Sequence, residues 1–369
     1  MLVVLRVKEF PPFSWGIFVL GRTELHLYMF IRAFFLLFLT GLLAQTSAQT
    51  LGGQSAFSFL TISHHPQSSA LGGLNLTHLN NDVGLSAVNP ALMHPVHSGN
   101  LSTSMLRIAP GVNSLFGNGA FYLEKTSTTI GLSMNHLLYG DELQTDASGN
   151  QLGRIRAFDQ YVGASASRSY GERWRYGATV KWANSQYGPF KSSALFADVG
   201  LTYTDTAHRL RLGFVARNMG TQLSTYAGQS EDIPFDISIG VSHQLAKAPI
   251  RLHLTLQGIH QFDLLYADTT FEAENYGRSF QLGTMQKAFS HLVLGAEYLV
   301  GEKLVLMLGY NALRRSELRI RNLSNGLAGF SYGIQFRLGK IDFFYSRLHY
   351  QSQLSQHQVA FTVRFANQK

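Results

Sequence analysis

A two-residue alternation of apolar and polar side chains runs through most of the sequence after residue 100. Leu195 and Val199 share one face of an extended segment, for example, while Asp198 and Thr202 share the other. This period indicates half-buried β-strands. About fourteen segments follow it, and most are roughly 9–12 residues long, whereas strands of globular proteins average about 5–6. A tilted strand needs roughly 9–11 residues to cross a bilayer, so the pattern predicts a transmembrane barrel.

The predicted strands are separated by connections that alternate in length. The strands are 101–109, 117–126, 128–137, 157–167, 173–183, 193–205, 208–218, 235–245, 250–261, 289–299, 302–312, 327–338, 339–349 and 355–365. The long connections are 138–156, 219–234, 262–288 and 313–326. Short periplasmic turns and longer outer loops are typical of outer-membrane barrels. We therefore expect an all-β, antiparallel, up-and-down barrel of about 14 strands in the outer membrane of a Gram-negative bacterium, with both barrel termini periplasmic.

The side chains opposite the apolar face are too polar for the core of a soluble protein. Lys181, Arg251 and His253 occupy such positions and alternate with small residues such as Gly177. Only 14 % of the chain is charged, and the mean hydropathy is +0.01, so apolar residues are dispersed and not gathered into spans. A closed barrel satisfies this pattern, because its apolar face contacts lipid and its polar face lines the lumen.

Two tryptophans follow the leader-like region, and both fall on the apolar face of one predicted strand. Trp174 and Trp182 lie eight positions apart, a span that fits the apolar band of a membrane barrel with aromatic girdles at its rims. The alternative is a soluble extracellular β-sandwich or lectin with two surface tryptophans. Such a protein would show shorter strands and no girdle.

The N-terminal region resembles a secretory signal. Arg32 precedes a short apolar run over 33–44, and small residues end at Ala48, before Gln49. The run is too short for a transmembrane helix and fits a cleaved signal peptide over 29–48. Residues 1–28 are then an upstream extension before the true start, or alternatively a genuine long N-terminal extension. The irregular segment 49–100 is expected to plug the lumen of the barrel, which occupies 101–369.

No sequence pattern indicates catalysis. There is no cysteine, no nucleophile elbow, no phosphate loop and no dinucleotide fingerprint. Histidines cluster in the plug segment, at His64, His65 and His78 among others, but their spacing matches no known metal site. The net charge of +8 includes no run of basic residues, so nucleic-acid binding is not expected. The sequence thus predicts a non-enzyme without cofactor or metal.

Several short segments resemble those of a family of outer-membrane barrels. They are GGQSAFSFL at 52–60, ALGG at 70–73, NDV at 81–83, NPAL at 89–92, ARNMG at 216–220, PFDI at 234–237 and SHQLAKAP at 242–249. Their order is similar to that of the PorV/PorQ group of the type IX secretion system, which is related to the FadL transporters. The NPA segment alone is shared across FadL-like barrels. One departure is that residues 366–369 follow Phe365, where many such barrels end on the aromatic residue.

The resemblance implies a non-catalytic barrel that anchors a PorZ-like surface protein in a cargo attachment complex, alongside PorU-like and PorV-like components. No family motif marks the partner-binding residues. The long predicted loops 219–234 and 262–288 carry aromatic residues of the kind that anchor interfaces, namely Tyr226, Tyr266, Phe271 and Tyr276. The alternative function is FadL-like transport of hydrophobic small molecules, which requires an apolar pocket in the lumen beside the plug.

Overall fold

The computed structural model describes residues 55–78, 82–145, 148, 150–264, 283–317, 326–350 and 355–365. Across these residues the chain forms fourteen strands, as the alternation predicted. They are β1 (Asn100–Ala109), β2 (Val112–Leu123), β3 (Thr128–Thr145), β4 (Gln151–Tyr170), β5 (Trp174–Tyr187), β6 (Phe190–Asp205), β7 (Leu210–Ser224), β8 (Asp236–Gln244), β9 (Ile250–Leu256), β10 (Leu292–Val300), β11 (Leu304–Asn311), β12 (Phe330–Leu338), β13 (Ile341–His349) and β14 (Ser355–Arg364).

Each strand pairs antiparallel with the next, and the first pairs with the last, so the sheet closes into a barrel. At the closure Asn100 lies opposite Arg364, and Met105 opposite Val359. The helices of the described residues are α1 (Pro66–Ala70), α2 (Thr284–Ser290) and α3 (Ala312–Glu317), with 3-10 turns at Ser58–Thr61, Val83–Ala87, Pro90–Leu92, Pro95–His97 and Glu124–Thr126. None of the described helices is long and apolar enough to cross a membrane.

The hairpin of β3 and β4 is longer than the sequence predicts. Its ladder runs from the Thr128–Arg168 pair to the Thr145–Gln151 pair, so most of the predicted loop 138–156 is strand. The register shifts between Leu138 and Asp141, at an irregularity in the ladder. A register shift interrupts the two-residue alternation, and for this reason the alternation did not predict that the strand continues beyond residue 137.

The two faces of the barrel wall have the polarity of a membrane protein. Outward side chains on the strands are apolar and exposed, with Leu132 69 % and Leu308 55 % exposed. Inward side chains such as Thr179, Asp198 and Gln335 are polar and buried. A closed ladder leaves no unpaired edge in the apolar belt, so this wall can span lipid.

The connections divide the barrel into two unlike ends. The end at which β1 begins and β14 stops, here called the turn end, carries only short connections, the longest being 245–249. The opposite end, here called the loop end, carries the three longest connections, 225–235, 257–291 and 312–329. The alternation of short and long connections predicted from the sequence is thus present from β7 to β13, with the long ones at one end, whereas the connections before β7 are at most five residues long at both ends.

Residues 55–78 and 82–99 form a plug inside the barrel. Its polar groups bond to inward side chains on β14 and β12: Ser69 Oγ donates to Gln358 Oε1 (2.5 Å), and Gly72 N donates to Ser331 Oγ (3.1 Å). The plug begins at the loop end, where Ala56 N donates to Asp232 O (2.8 Å). It finishes at the turn end, where it continues into β1. The predicted plug is therefore confirmed for the described residues.

Inward glycines of the wall make room for the plug. A Cβ atom on Gly177 would lie 2.6 Å from the carbonyl carbon of Pro90, and one on Gly213 would lie 2.6 Å from Leu76 O. Any larger residue would therefore displace plug backbone, which a close-packed interior resists. The glycine-rich inward faces seen in the sequence thus mark where the plug touches the wall.

Candidate functional site

A cavity of about 340 Å³ lies between the plug and the connections of the loop end. Apolar plug residues line one side of it, including Leu60, Ile62 and Leu74, and Leu106 and Leu348 of the wall add to this surface. Ligand pockets typically measure about 300–1,000 Å³ and combine an apolar lining with a few polar groups. This cavity is at the small end of that range.

A buried ion pair forms part of the cavity wall. Lys181 on β5 places its Nζ atom 2.8 Å from Asp198 Oδ2 on β6, and the same nitrogen donates to Asn218 Oδ1 at 2.6 Å. Both charged side chains are nearly inaccessible to solvent. A buried charge needs such partners to offset the loss of hydration, so Lys181 is engaged by the wall itself.

A second ion pair secures the connection after β9. Arg217 and Asp236 lie opposite each other on β7 and β8, and Arg217 Nη2 is 2.7 Å from Asp236 Oδ2. The other carboxylate oxygen accepts a bond from Gly258 N at 2.9 Å. Asp236 therefore holds the start of the long connection 257–291 close to the cavity. Burial lowers the pKa of His260 in this connection, so its ring is neutral at pH 7.

Arg314 on α3 differs from these two cations. Its guanidinium lies over the ring of Tyr350, 4.8 Å from the ring centre, and Nη2 donates a long bond to Gly72 O (3.4 Å). Its Nη1 atom is buried and makes no hydrogen bond to the residues that the structure describes. Arg314 forms no salt bridge within that part of the chain either. Arg217 also has an unused donor, its buried Nε atom, but it is paired with Asp236. Arg314 therefore combines unused donor capacity with the lack of a salt bridge among the described residues.

The residues predicted as functional are placed as follows. Tyr226 lies at the loop end, half-buried, with its ring 5.8 Å from that of Tyr187 and packed against the cluster around Phe57. Tyr266, Phe271 and Tyr276, and the predicted cleavage site at Ala48 and Gln49, lie outside the described residues. Tyr226, the described one of the four predicted interface residues, thus packs over the barrel mouth. The partner-binding role stays a prediction.

Trp174 and Trp182 both project outward from β5, 43 % and 45 % exposed. Trp174 contacts Tyr203 on the neighbouring strand, with ring centres 4.8 Å apart. The outward placement inferred from the sequence is therefore present, and the girdle role itself stays a prediction.

Sequence reasoning missed two groups of residues. Arg314 fell in a predicted loop, beside Arg315, and nothing local distinguished it from a solvated charge. His78 was weighed only with the plug histidines, whereas the fold places it beside His253 and Glu297 of the wall. Neither grouping is encoded in local spacing, because each joins segments far apart in the chain.

Fold, faces and cavity together define a class: a plugged, membrane-spanning antiparallel β-barrel with a small lumenal cavity. No protein-family profile matches the chain, and no curated protein matches it. The resemblance to the PorV/PorQ group therefore stays a prediction.

Among solved structures, the CymD monoaromatic hydrocarbon channel is 14 % identical over 85 % of this chain and 100 % of its own, with a TM-score of 0.49. A mutant of the TodX monoaromatic hydrocarbon channel is 14 % identical over 82 % and 98 %, with a TM-score of 0.49. A FadL homologue of Pseudomonas aeruginosa is 11 % identical over 82 % and 98 %, with a TM-score of 0.44. These similarities are weak, so the barrel architecture is concluded from the strand pairing of this chain itself.

Proposed function

We propose that this chain is an outer-membrane barrel that admits small amphipathic molecules bearing an anionic group, and that it binds them first in the cavity at the loop end. The observation that carries the proposal is the cavity itself, with an apolar lining from the plug and Arg314 at its side. This proposal narrows the transporter alternative raised from the sequence, FadL-like transport of hydrophobic small molecules, to ligands that carry an anionic group.

The charges of the cavity favour an anionic ligand group. Lys181 and Arg217 each form a salt bridge with a carboxylate on the wall. Arg314 forms none among the described residues, and its electrostatic attraction to Glu317 of the same helix acts over a longer distance. Charge-assisted bonds from a guanidinium to a carboxylate are stronger than neutral ones. A ligand carboxylate at Arg314 would leave its apolar chain to lie against Leu74 and Val88 of the plug.

The test is binding of a fluorescent medium-chain alkyl carboxylate to the purified barrel in lipid nanodiscs. Arg314→Gln should weaken binding about 10- to 150-fold, because a charge-assisted bond contributes roughly 1.5–3 kcal/mol. Arg209→Gln, in a turn at the opposite end, is the matched control and should bind as the wild type does. Equal affinity of the wild type and Arg314→Gln would contradict the role of Arg314, and no saturable binding to the wild type would contradict the cavity as a ligand site.

A second candidate function is docking of a surface protein, the role that the PorV/PorQ resemblance implies. The observation that favours it is a set of exposed apolar side chains in the connection 257–291: Phe262 is 57 %, Met285 73 % and Phe289 55 % exposed. Exposed apolar groups of this size at one site are typical of interaction surfaces. In this function the loop end holds a PorZ-like partner at the cell surface.

This second function is tested by co-purification from outer membranes in mild detergent. The double variant Met285→Ser/Phe289→Ser should lose the partner while the barrel keeps its resistance to unfolding by heat. The control is Leu338→Ser, an exposed apolar residue at the turn end. Retention of the partner by the double variant would show that α2 is not the contact. If no partner co-purifies with the wild type and the double variant loses binding of the alkyl carboxylate, the result would favour transport over docking.

A further inference from the structure

Three potential metal ligands meet inside the barrel where the plug touches β9 and β10. His78 comes from the plug, His253 from β9 and Glu297 from β10. His78 Nδ1 lies 3.2 Å from Glu297 Oε1, and His253 Nε2 lies 3.5 Å from Glu297 Oε2. One ligand atom from each of the three residues lies within 4.8 Å of the other two. The three side chains are at most 3 % exposed.

We propose that His78, His253 and Glu297 bind a divalent transition-metal ion of the Zn²⁺ class, which ties the plug to the barrel wall. Two histidines and one carboxylate form a ligand set that zinc and other first-row metals use. The site lies apart from the cavity at the loop end, because none of the three residues lines that cavity.

The spacing of the ligand atoms suits a single ion. Metal–nitrogen and metal–oxygen bonds are about 2.0–2.2 Å long, so neighbouring ligand atoms of a tetrahedral site lie roughly 3.3–3.5 Å apart. The separations of 3.2 Å from His78 Nδ1 to Glu297 Oε1 and of 3.5 Å from His253 Nε2 to the other oxygen, Oε2, fall close to this value. Only the separation between the two rings, whose centres are 5.8 Å apart, must shorten when the ion binds.

An unused nitrogen atom at His253 provides an independent argument. Its Nδ1 atom is buried and has no hydrogen-bond partner among the described residues. His253 Nε2 and His78 Nδ1 each face the Glu297 carboxylate, at 3.5 and 3.2 Å. Buried polar atoms in native proteins nearly always have a partner, so the unpartnered Nδ1 atom and the long contact from Nε2 indicate that the ring of His253 lacks a ligand.

Neighbouring residues supply the outer shell that metal sites require. The side-chain amide nitrogen of Gln67 lies 2.6 Å from His78 Nε2 and 3.2 Å from Glu297 Oε1, so it contacts two of the three proposed ligands. Arg251 Nη1 donates to Glu297 Oε2 at 2.8 Å and so orients the carboxylate. Partners of this kind fix the ring and carboxylate orientations of metal ligands.

A network of hydrogen bonds and ion pairs without metal is the competing explanation. It accounts for Glu297, which has partners in Arg251, Gln67 and the two histidines. It does not account for His253 Nδ1, which is buried and has no partner among the described residues.

Access to the site is available from the turn end. A cavity of about 370 Å³ opens there and is lined by Arg251 and Ser242, which adjoin His253 on the paired strands β8 and β9. The proposed ion therefore need not pass the plug from the loop end. An ion held by one plug residue and two wall residues would act as a cross-link, which stabilises the docked plug.

The experiment uses the full-length mature barrel, purified without a histidine tag, in lipid nanodiscs. Zn²⁺ stoichiometry is measured by elemental analysis, and Co²⁺ binding by its visible absorption. The variants are His253→Ala and Glu297→Gln, and the control is His243→Ala, an exposed outward histidine on β8. Heat-dependent migration on gels confirms that each variant forms a barrel.

We expect the wild type and His243→Ala to bind one equivalent, and His253→Ala and Glu297→Gln to bind at least about 100-fold more weakly. Zn²⁺ should also raise the unfolding temperature of the wild type but not of these two variants. Absence of stoichiometric binding to the wild type overturns the proposal. Equal binding by the wild type and by either folded ligand variant also overturns it.

Discussion

Buried carboxylates of the plug and lumen are matched one by one with cationic or polar partners. Asp82 of the plug shows the principle: its Oδ2 lies 2.8 Å from His65 Nε2, both side chains are inaccessible, and its Oδ1 accepts from Gly84 N at 2.8 Å. Burial alone would raise the pKa of Asp82, but the charge of His65 and these hydrogen bonds outweigh it and lower the pKa to about 2. The carboxylate thus fixes the turn that begins at Val83.

Replacement of this carboxylate should loosen the plug. Asp82→Asn keeps the shape but leaves His65 without its charged partner, and breaking a buried pair costs about 3–5 kcal/mol. Asp263→Asn removes an exposed partner of Lys287 and should cost less than about 1 kcal/mol. The free energy of unfolding in lipid vesicles, with protease sensitivity of the plug, measures the difference. Equal losses of unfolding free energy in the two variants would show that the buried His65–Asp82 pair contributes no more than an exposed ion pair.

The same pair also sets a pH dependence with a definite sign. Because the pKa of Asp82 is lower in the folded protein than its usual 3.8, its contribution is complete above that value and is lost as the pH falls through about 2. Acidification from pH 7 to pH 4 should therefore not release the plug through Asp82.

At the level of elements, the strands were predictable and the plug contacts were not. Fourteen strands could be predicted from local alternation, because outward side chains are apolar and inward side chains are polar along each strand. The bounds failed most at β3 and β4, where a register shift breaks the alternation, and at β7, which continues to Ser224 beyond its predicted end at residue 218. The meeting of Gly177 with Pro90, or of Gly333 with Ala70, joins segments distant in sequence, so no local pattern contains it.

The wall glycines offer a test of plug packing. In Gly177→Val the new side chain would collide with plug backbone, since even a Cβ atom would lie 2.6 Å from Pro90. We expect the barrel to form while the plug is displaced, so the ion conductance in planar bilayers should rise severalfold. Gly117→Val, on β2, is the control, because its Cβ atom would meet only Met134 at 3.8 Å. Unchanged conductance in Gly177→Val would contradict close seating of the plug against β5.

For the whole molecule, the sequence predicted the barrel and its polar lumen, but not the arrangement of sites inside. The alternating polarity of the strands reports only whether a side chain faces lipid or lumen. The cavity beside Arg314 and the cluster at His78 depend on the path of the plug, which runs from the loop end to the turn end. That path is set by contacts with nearly all sides of the wall, and no local periodicity encodes it.

The membrane assignment is testable on one strand. Val199 lies in the middle of β6 and faces outward, 43 % exposed, so Val199→Arg should cost about 2–4 kcal/mol of barrel stability in lipid. Phe190→Arg changes an exposed residue at the end of the same strand and should cost about 1 kcal/mol or less. Reversible unfolding in lipid vesicles measures both. A soluble barrel would tolerate the two substitutions alike.

The orientation of the barrel follows from its two unlike ends and can be measured directly. Long connections of outer-membrane barrels face the exterior and short turns the periplasm, so we expect the loop end outside and both strand termini inside. The chain contains no cysteine, and single cysteines can therefore be introduced as unique labelling sites. Gln261→Cys, in the connection after β9, should react with a membrane-impermeant maleimide on intact cells. Lys340→Cys, in the turn between β12 and β13, should react only after the outer membrane is permeabilised. Labelling of Lys340→Cys on intact cells, with Gln261→Cys protected, would reverse the assigned orientation. It would also place the cavity at Arg314 on the periplasmic side.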